Sequence, residues 1–94
     1  MKNVKLIKFT TGEEAIFEVV KVHGDYVTVK NGLTMVFDGQ GIRAIPFSVN
    51  VDDGQELELR VHEIIFMTEP RKDLLDQYVQ QHSGIIQPQK TLIT

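Results

Sequence analysis

The sequence predicts a mainly β domain, a small and strongly bent antiparallel barrel followed by one short helix. Three observations predict it. Short segments rich in β-branched and aromatic residues recur between residues 4 and 67. Glycines with polar neighbours separate them at Thr11-Gly12, His23-Gly24-Asp25, Asn31-Gly32, Asp38-Gly39-Gln40-Gly41 and Asp52-Asp53-Gly54. One stretch, beginning near Arg71, instead places Leu74, Leu75, Tyr78 and Val79 at helical spacing.

Residues 4–10 and 14–22 read as two antiparallel strands joined at Gly12. After Gly24-Asp25, Val27 and Val29 share one face of a third strand that resumes at Leu33–Phe37. Asn31-Gly32 between these halves fits either a hairpin turn or a bulge inside one long bent strand. Residues 42–51 form the next segment, with Ile45, Phe47, Val49 and Val51 on one face and Pro46 at an edge or bulge. Residues 56–62 alternate, with Leu57, Leu59 and Val61 opposite Glu58, Arg60 and His62. The alternation breaks at Glu63-Ile64-Ile65-Phe66-Met67, where both faces turn apolar and call for a second cover, from a helix or another subunit. Thr68-Glu69-Pro70 stops that strand and opens the helix, which ends near Ser83-Gly84. So short a helix must dock by its stripe, for which Ile64 and Phe66 offer a landing. One domain results: a barrel over residues 1–69, a helix over 70–84 packed on it, and an extended arm over 85–94.

The 94 residues carry ten basic and thirteen acidic side chains, a net charge of −3, which opposes non-specific phosphate binding by the molecule as a whole. No apolar run reaches the roughly 18 residues that a spanning helix needs, and charges interrupt the first apolar stretch, so a cytoplasmic protein with no membrane partner is expected. Cysteine is absent, which excludes disulfides, thiol nucleophiles and thiolate zinc sites. The carboxylate pairs Glu13-Glu14 and Asp52-Asp53 flank turn glycines, where solvated charge is the default, and neither has calcium-loop spacing. His23, His62 and His82 are scattered without metal-ligand spacing. No phosphate loop or nucleophile motif appears, so no catalytic residue, metal or cofactor is assigned and no enzymatic role is expected.

The run Phe9–Asp25, with a turn glycine at Gly12, Val19 and Val22 on the second strand and then Asp25, resembles the first Sm motif. Leu59-Arg60-Val61 and the apolar strand after it resemble the second. The two cover roughly residues 4–67, and the whole chain is similar to small Sm-like proteins of cyanophages. This resemblance implies a five-stranded SH3-like barrel that joins edge to edge into a closed homo-oligomeric ring of about five to seven subunits, and single-stranded RNA as a partner. Carried over by position, Asp25 and Arg60 fall on RNA-contacting positions. The chain departs from the pattern where the family's RNA-contacting Asn falls on Val27 or Val29, and where Phe17 and Val61 replace glycines. Its helix also follows the barrel instead of preceding it.

Read as residues, Arg60 can stack on a base or pair with phosphate, and Tyr26 beside Asp25 can offer a stacking platform. The plainer readings are a solvated Arg60 facing Glu58 and a half-buried barrel tyrosine. Lys2, Lys5 and Lys8 make a basic cluster at the amino end, read as guarding a strand edge or binding nucleic acid. Ile64, Ile65, Phe66 and Met67 are the expected subunit interface. The alternative function is a ring that binds no nucleic acid and presents its helix and tail to a phage or host protein.

Overall fold

The computed structural model describes residues 3–52 and 54–85. Six strands form one antiparallel sheet: β1 Val4–Phe9, β2 Glu14–His23, β3 Tyr26–Asp38, β4 Gly41–Pro46, β5 Leu57–Arg60 and β6 Ile64–Thr68. Among the described residues there is one α-helix, α1, Lys72–Ile85. The strand order is β4-β3-β2-β1-β6, with β5 paired to β3 off this path. Among the described residues the ladder does not close: β5 and β6 do not pair, and a 3-10 turn at Val61–Glu63 joins them. The expected barrel of five strands is thus an open sheet of six, because this turn splits residues 57–68 into two strands at a corner.

Asn31-Gly32 is a bulge, and it bends β3 without ending it. Between Ile16↔Leu33 and Glu18↔Lys30 the register slips by one residue of β3. Asn31 takes up the slip at φ 56°, a left-handed conformation that asparagine tolerates better than most residues. The bend divides the far edge of the strand: Tyr26–Val29 pairs with β5, and Leu33–Asp38 pairs with β4. Gly32 follows at the closest approach, where a Cβ would overlap the Phe17 ring and lie 2.9 Å from Phe47 Cβ.

Two apolar layers lie on the two faces of the sheet. Inside its curve, Ile7, Phe9, Ala15, Phe17, Val19, Val27 and Val29 are buried, with Phe47, Leu57, Leu59 and Ile64 packed against them. The Phe47 ring stacks on Phe9 at 5.5 Å and meets Phe17 edge-on at 5.1 Å. Phe47 reaches this position because β4 stops at Pro46. The segment 42–51 is therefore not one strand with one apolar face: Phe47 turns inward, its N–H donating to the Gly32 carbonyl at 2.9 Å, while Val49 is 83% exposed.

The other layer lies under α1. Leu74 and Tyr78 bury against Val4, Ile16 and Leu33, with Leu6, Met35, Ile42 and Ala44 alongside. The helix therefore covers β1 to β4 and not Ile64 and Phe66. The Tyr78 hydroxyl donates to the Asn31 carbonyl at 2.6 Å, which ties the helix to the bulge. Asn31 in turn accepts from the Gly54 N–H at 3.1 Å through Oδ1 and donates from Nδ2 to Glu18 at 3.4 Å.

A further slip leaves Val20 of β2 as an extra residue, and in β6 another bulge explains the broken alternation. Phe9 pairs with Ile64 and Lys8 with Phe66, which leaves Ile65 as the extra residue. Ile64 packs into the core, whereas Ile65, Phe66 and Met67 are exposed on the terminal strand. At the amino end, β1 is paired on both sides, so its lysines guard no edge. Lys5 pairs with Glu69 at 2.7 Å and Lys8 with Glu14 at 3.4 Å. The expected basic cluster is thus neutralised at these two positions, and Lys2 lies outside the described residues. The expected extended arm also falls outside them, apart from Ile85 at the end of α1.

Candidate functional site

The polar face of the sheet over β2, β3 and β5 is built by register. His23 is opposite Tyr26, and Tyr26 is opposite Arg60, so three strands set these side chains in one row. The row exists because Val27, Val29, Leu57 and Leu59 occupy the alternate positions and turn inward. Gly24, at φ 57°, makes the tight return that puts His23 beside Tyr26. At the neighbouring corner the Val61 N–H donates to the Asp25 carbonyl at 2.8 Å, which fixes the Asp25 backbone against the start of the 3-10 turn.

Asp25, Tyr26, Arg60 and His62 line one shallow depression of about 180 Å³. The three residues assigned to nucleic acid from the sequence therefore converge, and His62 joins them. Tyr26 is half-buried, and its ring stacks on His23 with centroids 6.0 Å apart and planes 23° from parallel. His23 is held from behind, its Nε2 3.1 Å from the Thr28 hydroxyl and 3.7 Å from the Glu58 carboxylate. Glu58 thus lies against His23, and among the described residues no ion pair joins it to Arg60. Among the described residues, the side chains of Asp25, Arg60 and His62 have no hydrogen-bond or ion-pair partner. Two opposite charges face one hollow without neutralising each other, and both remain available to a ligand.

The depression therefore offers a planar aromatic surface backed by a second ring, a fork of guanidinium donors, a carboxylate acceptor and an imidazole. Such a set suits a flat, polar, hydrogen-bonding ligand better than an apolar one. Among the described residues no group of three or more His, Asp or Glu is placed to hold a metal ion.

Sequence reasoning missed His23 and His62 as members of this site. The signal for His62 was its position two residues after Arg60 on an alternating segment, and for His23 the two-residue turn before Tyr26. The expected interface residues lie elsewhere, on β6. The charge pairs of β1 and β2 are also apart from the depression. No protein-family model matches the chain, and no curated protein is similar to it in sequence.

Proposed function

We propose that the chain is an Sm-like, ring-forming protein that binds single-stranded RNA through Asp25, Tyr26 and Arg60, as a cytoplasmic, phage-encoded RNA-binding or chaperone-like module. The observation that carries this reading is the convergence of those three side chains on one depression, with an aromatic platform and an unpaired guanidinium. Stacking of a base on such a platform is worth about 1–3 kcal/mol and tolerates many sequences. Arg60 adds the cation that phosphate requires, in a molecule whose overall charge opposes binding. A local site, not a general basic surface, therefore has to supply the affinity.

Ring assembly is the second part of the proposal. Among the described residues, the outer edges of β4 and β6 end the main strand path without a further strand partner. Pairing β6 of one copy with β4 of the next would satisfy them and repeat around a closed ring of about five to seven copies. Ile65, Phe66 and Met67 would be covered in the same step. The alternative is a ring that binds no nucleic acid and presents its helix and tail to a protein partner, with the helix docked on its own sheet through Leu74 and Tyr78.

The test is binding of a short fluorescent A-rich or U-rich RNA measured by anisotropy over a salt series. Arg60→Ala is expected to weaken binding by about tenfold, the scale of one charge-assisted contact, and to flatten the salt dependence. Binding indifferent to both salt and Arg60 would contradict the proposal.

A further inference from the structure

Resting on the reading of this depression as an RNA site, we infer that it selects guanine. Asp25 lines the hollow, its carboxylate has no partner among the described residues, and an ionised carboxylate only accepts hydrogen bonds. Two adjacent acceptor oxygens match two adjacent donors. Of the four RNA bases only guanine presents such a pair on its pairing edge, the ring N1–H and the exocyclic amine. Adenine and cytosine place an acceptor ring nitrogen beside their amine, and uracil sets one N–H between two carbonyls. Each would aim a lone pair at the carboxylate.

Arg60 makes the complementary half of the case. The residue lines the same hollow, and its guanidinium, also without a partner among the described residues, is a bidentate donor. The next edge of guanine carries the acceptors O6 and N7, the pair that arginine reads most often. A base with donors along one edge and acceptors along the adjoining one meets an unpaired carboxylate and an unpaired guanidinium while its face rests on Tyr26. Ring stacking alone would not discriminate between bases, so the selectivity is assigned to Asp25 and Arg60 together.

The experiment titrates the full chain with labelled U-tract heptamers whose central base is guanine, inosine, adenine or uracil, with free GMP and AMP run in parallel. Guanine is expected to bind about tenfold or more tighter than adenine or uracil, the worth of one bidentate pair. Inosine, which keeps N1–H and lacks the amine, should fall between. Asp25→Asn should lower the guanine-to-uracil affinity ratio several-fold, leaving the part that Arg60 supplies. The inosine comparison requires no variant, so it holds even if that substitution disturbs the fold. Equal affinity for all four strands, still lowered by Arg60→Ala, would overturn the guanine assignment and leave the RNA reading standing. A preference for GMP over AMP with no binding of any strand would keep guanine recognition and assign the site to a free nucleotide, and no binding of any probe would remove both.

Discussion

Gly32 and Tyr78 are the residues on which the bend of β3 depends, and they act on opposite sides of it. The space that would hold a Gly32 Cβ is already filled by Phe17 and Phe47, so Gly32→Ala forces a shift in the most crowded part of the core. It is expected to cost about 1–3 kcal/mol, the usual range for overpacking, read as a lower urea midpoint at unchanged slope. Tyr78 is buried, and burial first, then the nearby Glu18 carboxylate, hold its hydroxyl well above the ordinary tyrosine value. A raised folded-state value favours the neutral form in the folded chain. Its contribution is therefore complete below the unfolded value of about 10 and is lost as pH rises beyond it. Unfolding at pH 8 and pH 11 should show a fall in stability that is smaller in Tyr78→Phe. An equal fall in both would contradict this assignment.

At the scale of elements, the turn glycines and alternating segments made β1, β2, β3 and α1 legible in the sequence. What remained hidden was register. A bulge shifts a period of two by one residue, so the slips at Val20, Asn31 and Ile65 cannot be read from apolar spacing alone. The same limit hid the corner at Val61–Glu63, which continues the alternation of Leu57 and Leu59 in sequence but not in space. Residues 42–51 looked like one strand because Val49 and Val51 prolong the pattern, although Pro46 has no N–H with which to extend a ladder. The landing place of α1 depended on which face of the sheet lacked a cover, a property of the assembled strands. Asp25, Tyr26 and Arg60 were recognisable one by one, but their proximity, and the presence of His23 and His62 with them, comes from cross-strand pairing. On β6, Ile65 is 58% exposed and is the bulged residue, so a charge there disturbs no core contact. Ile65→Glu is expected to keep the monomer fold by circular dichroism and to abolish assembly by size-exclusion chromatography. A variant that elutes like the parent assembly would exclude β6 from the subunit interface.

For the whole molecule, one feature of the sheet links assembly to binding. Its strand path ends at β4 and β6, while the row His23, Tyr26 and Arg60 crosses β2, β3 and β5, and His62 of the same depression lies two residues before β6. In copies joined through these ends the depression would recur once per copy around a ring. Such repetition would raise affinity for a strand long enough to reach neighbouring sites, without any new contact. Native mass spectrometry of the gently purified full chain, with and without a U-rich RNA, tests this account most directly. One closed species of about five to seven copies of the 10.7 kDa chain, gaining the mass of bound RNA, is expected. A monomer that takes up no RNA would contradict it.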